Sequence, residues 1–449
     1  MRARRTTAVA AALLLTGAVA ACTPDGATPP ASTVTATTGP AQVTLAVYGP
    51  DPVISAYTTL AATFTDKFPS IAVNVRPYAT HDEAMHALAR TVGTGRAPDI
   101  FLAGASDLDS LEADKANTRV DELLSERNID FGDGYERVGL EAFSDNNALQ
   151  CMPVDVSPLV VYYNAGLVHL AKLRLPGQTV PSSDIGWRFQ DFVTAAEQAS
   201  GFNTRGVYVA PQLEQIAPFV LSGGGQVVDD TAAPMSLQLG SGASVNAMRQ
   251  LLQLVRRPEL TFTPQQLARK DALTRFKEGR LGMLVGFRDL TPELRKQEGL
   301  NFGVMPMPRI GKQATVADVS GLCVKPKAAN SQAVGDFLAY LVGDQASKVL
   351  ASTGYVTPAN SDALHSDDFA QPTLDPNGSN VFVNQMRFVN ELPRSSVWST
   401  VEKAVDNRLY RLFYDPLIDP LDARLTAIDE ASKTILAPPS ASPSATPSR

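Results

Sequence analysis

From residue 43 onward the chain alternates short apolar runs with stretches of helical periodicity, and this alternation narrows its fold more than any other feature. Residues 43–48 (VTLAVY) read as a strand that ends in the turn Gly49-Pro50-Asp51-Pro52. Residues 53–68 then carry Leu60, Ala61, Phe64 and Phe68 at helical spacing, and Pro69 stops the run. Residues 71–75 alternate as a strand. Residues 82–93 form an amphipathic helix with Met85, Leu88, Ala89 and Val92 on one face, closed by the glycines of Gly93-Thr94-Gly95. Residues 99–103 are a further short apolar strand. Strands interleaved with helices predict parallel β-α-β units in an α/β fold with helices on both sheet faces. In open α/β sheets ligands bind beyond the carboxyl ends of the strands, here Tyr48-Gly49 and Gly104-Ala105-Ser106-Asp107.

The middle of the chain holds residues 152–163 (MPVDVSPLVVYY), a long apolar extended stretch broken by Pro153 and Pro158, of a kind that can link two lobes. Helices are expected over residues 187–200, 244–255, 271–279, 332–342, 401–413 and 421–434, with one ending at Phe219-Val220-Leu221 before Ser222-Gly223-Gly224-Gly225. Strands are expected over 206–209, 281–285, 303–305 and 322–325. The segment from 43 to about 436 is long enough for two domains.

The first 21 residues have the layout of a secretory signal: Arg2, Arg4 and Arg5, then an apolar stretch over 8–21 centred on Leu13-Leu14-Leu15. That stretch is short of the ~20 apolar residues a membrane span needs. It ends in Val19-Ala20-Ala21-Cys22, which resembles the bacterial lipobox. On this reading the Cys22 thiol takes a diacylglycerol and its freed amine takes a further acyl chain such as palmitate, and two or more chains make a stable anchor. The other reading is a plain signal peptide with an incidental cysteine. Residues 22–42 are rich in Pro, Thr, Ala and Gly and cannot bury enough surface to offset their ordering entropy, so they read as a flexible tether. Residues 437–449 end in Ser/Pro low complexity and read as a disordered tail.

The whole chain carries −7, and losing the three signal arginines leaves a mature chain near −10. With no basic block, nucleic acid and electrostatic binding to anionic lipid are disfavoured as partners. If Cys22 is acylated, Cys151 and Cys323 remain, and in an oxidising compartment an even remainder points to one disulfide, the alternative being two separate buried thiols.

The motifs of catalysis are missing. The histidines are His81, His86, His169 and His365; His81 and His86 are five apart, which a helix does not place on one face, and no HExxH zinc pattern occurs. There is no GxSxG elbow and no GxxxxGK[ST] phosphate loop. The acid pairs Asp107/Asp109 and Asp229/Asp230 could act as general acid and base, but surface carboxylates are more often merely solvated. No enzyme, cofactor or metal site is expected.

Several segments in order resemble the family 1 extracellular solute-binding proteins of ABC importers, the group that includes maltose-binding protein. They are Gly95-Arg96-Ala97-Pro98-Asp99-Ile100-Phe101 and Pro153-Val154-Asp155-Val156-Ser157-Pro158 with Tyr162-Tyr163-Asn164. Phe276-Lys277-Glu278-Gly279-Arg280 through Met283 follows, then Phe302-Gly303-Val304 with Pro306 and Pro308, and Gly354-Tyr355-Val356-Thr357-Pro358-Ala359-Asn360. Each is loose alone; five in order behind a lipobox are more specific.

The resemblance implies a two-lobed periplasmic-binding-protein-like fold, with hinge strands and discontinuous lobes that close on a ligand. The lobes would be an N-lobe over 43–153, mainly C-lobe over 154–318, a return to the N-lobe over 319–370 and the end of the C-lobe over 371–436. It sets Cys151 just before the first hinge crossing and Cys323 in or near another hinge-side strand, which makes their pairing plausible. The ligand positions it implies are Tyr48, Gly49, Ser106, Asp107, Asp155, Gly224, Phe287, Arg288 and Tyr355, with Trp398 reaching the ligand or packing its lobe. The rings would stack on apolar sugar faces, and Asp107, Asp155 and Arg288 would take hydroxyls. Phe287 stands where many sugar binders carry Trp, which argues against a long oligosaccharide. The implied function is a monomeric lipoprotein on the extracytoplasmic face of the cell membrane that delivers a small solute, a carbohydrate first, to importer permease subunits. The alternatives are a binder of a glycerophosphodiester, amino-acid derivative or polyamine, a non-transporting sensor or adhesion module, and an exported glycan hydrolase.

Overall fold

The computed structural model describes residues 40–129, 131–173, 179–376, 378–416 and 418–437. Cys22, the signal segment, nearly all of the tether and the tail beyond Ala437 lie outside these residues. Eleven strands are assigned among them: β1 (Ala41–Tyr48), β2 (Ile71–Tyr78), β3 (Ile100–Gly104), β4 (Ser144–Asp145), β5 (Ala148–Leu149), β6 (Cys151–Pro158), β7 (Val160–Asn164), β8 (Arg205–Tyr208), β9 (Leu281–Gly286), β10 (Phe302–Pro306) and β11 (Ala317–Val324). Strand β1 reaches two residues into the expected tether, because Ala41 pairs with Ile71 and its N–H donates to the Ser70 carbonyl.

The strands build a five-stranded sheet of order β2-β1-β3-β11-β6 and a four-stranded sheet of order β10-β7-β9-β8, with β4 and β5 forming a small ribbon. The first helix, Asp51–Lys67, shows why the local pattern gives this architecture. Pro52 opens it at a position where a missing N–H costs nothing, and Val53, Ala56, Tyr57, Leu60, Ala61 and Phe64 form a buried stripe. Phe64 is fully buried, a side chain worth ~1.5–3 kcal/mol on the usual area scale. The helix expected over 82–93 is shorter, His81–Ala89; Gly93 and Gly95 both take positive φ beyond its end.

A uniformly parallel sheet does not form. Strands β2, β1 and β3 are parallel, as are β8 and β9, but β11 runs antiparallel to both β3 and β6, and β7 antiparallel to both β9 and β10. The reason lies in the connections. A single residue, Leu159, separates β6 in the first sheet from β7 in the second, so the chain passes straight from one sheet to the other. It returns from β10 to β11 in the opposite direction, and the outgoing and returning strands pair within each sheet. Pairing keeps the first sheet intact to Pro158 and resumes it at Ala317, where the sequence reading put its divisions after 153 and after 318. The same pairing sets Cys151 opposite Cys323, and their sulfurs are bonded.

Two apolar centres form, and the second sheet contributes one face to each. Val43, Leu45, Phe64, Phe101, Leu322 and Phe337 belong to one, and Val161, Phe192, Phe219, Met283, Met305 and Val401 to the other. The second is drawn tight by glycine. A Cβ on Gly206 would lie 2.1 Å from the Ala196 carbonyl oxygen, so the helix Phe189–Ala199 sits directly on the β8 backbone.

Candidate functional site

The chain passes between the sheets three times, and the passages hydrogen-bond to one another. The Leu159 N–H donates to the Val316 carbonyl at 2.9 Å, and the Thr315 hydroxyl donates to the Leu159 carbonyl at 2.7 Å. Thr315 N–H donates to Phe388 O at 3.0 Å, and Asn390 N–H to Thr315 O at 2.8 Å. Three short extended segments paired at one waist are the geometry of a hinge.

Beside the waist lies a cavity of about 190 Å³. Its walls come from both sides: Ser106 after β3, Asp318 on β11, Glu214 on the helix Leu213–Ser222, and Trp398 with Glu402 on the helix Trp398–Tyr414. The third passage adds Glu391 and Arg394. Arg394 also reaches the first-sheet side, donating to the carbonyls of Ser144 at 2.7 Å and Ala142 at 3.3 Å, so it bridges the mouth of the cleft.

The electrostatics of this cavity are lopsided. Its lining holds four carboxylates, Glu214, Asp318, Glu391 and Glu402, against the one guanidinium of Arg394. Glu214 has no hydrogen-bond or ion-pair partner among the described residues. Enclosure by protein, followed by the charges of Asp318 and Glu402, pushes its pKa up to about 8. Asp318 opens into the cavity yet is ringed by protein; desolvation raises its pKa, and His81 opposes the rise. Burial raises Glu402 as well, with the neighbouring Trp398 ring opposing the rise. Desolvation and then Asp318 push Asp289 up to about 6. The leading cause throughout is desolvation, and neighbouring carboxylates add to it at Glu214 and Asp289.

The expected ligand positions divide into two groups. Ser106 and Trp398 line the cavity, and Trp398 is 3% exposed. Asp107, Tyr48 and Asp155 stand around it and feel Asp318 or one another. Asp107 Oδ2 is already engaged, accepting from the Gly104 N–H at 2.8 Å and facing His81 Nε2 at 2.7 Å; that bond leads the causes that raise the His81 pKa. The Tyr48 ring meets His81 edge-on at 5.2 Å. Asp155 Oδ1 accepts from the Thr357 N–H at 2.8 Å, and burial holds its pKa well above the usual carboxylate range. Gly49 follows β1 at φ 139° and Gly224 is exposed beyond the helix Leu213–Ser222 at φ 81°, backbone that glycine adopts freely.

Arg288, Tyr355 and Phe287 serve other ends. Arg288 has no exposed surface: its guanidinium donates to Gly354 O, Ser379 Oγ and Phe369 O, each at 3.1 Å, and lies over the rings of Phe369 and Phe382. The expectation that Arg288 takes a ligand hydroxyl therefore fails in this conformation; it clamps the segment after Gly354 to the end of β9. Tyr355 is 7% exposed and donates its hydroxyl to Glu293 Oε1 at 2.7 Å, so its ring is committed to packing beside the helix Leu290–Arg295 and not to stacking on a sugar. Phe287 packs on the second apolar centre, and its carbonyl accepts from the Tyr162 hydroxyl at 2.7 Å.

Sequence reasoning missed Glu214, Asp318, Glu402 and Arg394. Asp318 carried one usable signal, a lone acid at the start of an apolar strand. Glu214 and Glu402 sit on amphipathic helices where an outward acid is ordinary. No group of three or more metal-ligating side chains among the described residues could hold an ion, and no described helix is long and apolar enough to cross a membrane.

Known proteins share this architecture. An ABC substrate-binding protein of Listeria monocytogenes, solved in complex with cycloalternan, superposes with a TM-score of 0.74 at 16% identity over 88% of this chain and 98% of its own. The GacH receptor of Streptomyces glaucescens, described unliganded and with acarbose, gives 0.72 at 17% identity over 88% and 98%. The sugar-binding protein MalE of Xanthomonas citri gives 0.74 at 16% over 88% and 97%. At such identities the likeness speaks to fold alone, which is the two-lobed substrate-binding fold the motifs implied. No curated protein matches the sequence significantly. The family profile described as bacterial extracellular solute-binding protein matches residues 59–376, most of the chain. With a hinged pair of sheets and a polar cleft between them, the chain is a member of the bacterial extracellular solute-binding protein family, whose members bind solutes outside the cytoplasm without converting them.

Proposed function

We propose that this protein captures a small hydroxylated solute, a carbohydrate, in the cleft beside the hinge and hands it to the permease subunits of an ABC importer. The observation that carries the reading is the cavity of about 190 Å³, walled by Trp398 and hydrogen-bonding side chains from both sides of the hinge. That volume is small beside the ~300–1,000 Å³ usual for drug-sized ligands, which favours one or two sugar rings over a long oligosaccharide. The three structural neighbours described above carry names or ligands of the sugar class, which supports the same choice. Tyr48, Ser106, Asp107, Asp155 and Trp398 would form the ligand shell, with Gly49 and Gly224 supplying backbone groups. The first sheet with its helices would be one lobe and the second sheet with the helices after residue 380 the other.

The lipobox-like Val19-Ala20-Ala21-Cys22 supports a lipid anchor on Cys22, and the polar segment after it a tether spanning ~25 Å on average. A thermal-shift screen of the tether-free protein against neutral mono- and disaccharides tests the ligand class. Saturation at about 100 Kd adds ~2.7 kcal/mol to the native state and raises the melting temperature. No shift with any sugar defeats the carbohydrate reading. The anchor is tested separately, by detergent-phase partitioning of the native protein against a Cys22→Ala variant. The anionic glycerophosphodiester alternative is disfavoured by the carboxylates of the cleft, which would repel it.

A further inference from the structure

We propose that the cleft is built for a solute bearing a protonated amine beside its hydroxyls, and that the ammonium group sits against Glu214. This rests on the binding cleft of the preceding section and names the class of solute it selects. The geometry carries it in three steps. First, the cavity lining holds Glu214, Asp318, Glu391 and Glu402 and one cation, Arg394. Arg394 is already spent, donating to the carbonyls of Glu141, Ala142 and Ser144. Second, Glu214 is half-buried, lines the cavity and has no hydrogen-bond or ion-pair partner among the described residues, as is true of Asp318 and Glu391, whereas Asp155 accepts from the Thr357 N–H and Asp107 from the Gly104 N–H beside His81. Carboxylates that line a cleft without protein donors leave their acceptor sites to a ligand. Third, the acids are not arranged to hold one metal ion, so a diffuse organic cation suits them better than a divalent metal. A neutral sugar could hydrogen-bond to these groups but brings no positive charge to offset those that are ionised.

The same arrangement gives the binding step a proton signature. Facing Glu214 are Glu402 from the helix Trp398–Tyr414, Asp318 from β11, Asp289 from the turn after β9, and Glu391 and Arg394 from the third passage. Burial first, and then the charges of Asp318, Glu402 and Asp289, push the Glu214 pKa up to about 8. An arriving ammonium stabilises the carboxylate form, so the Glu214 proton leaves to solvent as the cation binds. A neutral ligand has no such effect.

The test is isothermal titration at pH 7 of the intact folded protein with glucosamine, glucose, N-acetylglucosamine and spermidine, each in two buffers of different ionisation enthalpy. The expected result is glucosamine binding at least tenfold tighter than glucose and N-acetylglucosamine, with net proton release. In a Glu214→Gln variant that preference should fall at least tenfold, and Glu402→Gln should lower it in the same direction if the first variant folds poorly. Tight spermidine binding with no sugar bound supports the ammonium site while defeating the carbohydrate reading. Equal binding of glucose and glucosamine without proton release overturns the ammonium site while the carbohydrate reading stands. Failure of both amines to bind also overturns it.

Discussion

Breaking the Cys151–Cys323 bond should cost several kcal/mol, and the cost follows from what lies between the two residues. They are 172 positions apart, and the loop they close contains β7, β8, β9 and β10, the entire second sheet. In the chain-entropy treatment a closed loop of that length restricts the unfolded ensemble by about 17 cal/mol/K, which is about 5 kcal/mol at 25 °C and the upper end of what disulfides deliver. The realised value should be about 2–5 kcal/mol, because the looped segment has its own apolar centre and keeps structure when the first sheet opens. Both cysteines are fully buried on neighbouring strands, so a double Cys→Ala variant adds a small cavity cost of its own. The clean comparison is therefore oxidised against reduced wild type, which share every atom except the bond and its hydrogens. Urea unfolding followed by tryptophan fluorescence reports Trp187 and Trp398, and far-UV dichroism reports the whole chain. The expected outcome is a lower midpoint in the reduced protein, larger by dichroism than by fluorescence, since both tryptophans belong to the second apolar centre. A change below about 1 kcal/mol, or two free thiols by mass spectrometry of the native protein, would refute the reasoning.

Four further outcomes are expected. Arg127→Met should cost about 3–5 kcal/mol in thermal melts, because it leaves Asp336 buried without the guanidinium that meets it at 2.7 Å, and adding Asp336→Leu should recover most of the loss. Gly206→Ala should destabilise by more than about 2 kcal/mol, since its Cβ would meet the Ala196 carbonyl at 2.1 Å; a neutral melt would show that the helix above can move away. Ligand-free protein should lose stability as pH rises from about 5.5 to 8.5. Glu214 and Asp289 have folded pKa values raised to about 8 and about 6, so the native state holds protons that the unfolded state has shed, and a Glu214→Gln variant should flatten the upper part of that slope. Arg394→Ala should remove the bridge to the Ser144 and Ala142 carbonyls and shift the unliganded population toward an open form, read as a larger radius of gyration in small-angle scattering, with no change if the bridge is idle.

Most elements were legible because their signals are local. Pro52, the apolar stripe from Val53 to Phe64 and the break at Pro69 define the first helix from sequence neighbours alone. Strand β11 shows the limit: residues 322–325 read as a strand, but its first half, Ala317 to Gly321, is extended because β6 pairs along it, joined by β3 from Ser320. The ligand positions drawn by resemblance were partly legible. Ser106 and Trp398 reach the cavity, whereas Arg288 is turned into the packing by partners some 66 to 91 residues away in sequence. Those partners leave no trace in the spacing around position 288.

By itself the sequence determined the α/β class, the order of strands and helices, the polar segments at both ends and the family pattern, all of which rest on periodicity, turn residues and composition within short windows. The tertiary structure decided which strands pair, that Cys151 meets Cys323, and that Glu214, Asp318 and Glu402 converge on one space. Such a convergence is a property of distance in the folded chain. Each of these carboxylates is an ordinary solvated acid in its own sequence neighbourhood, and only the folded cleft desolvates them and brings Asp318 and Glu402 near enough to raise the Glu214 pKa further.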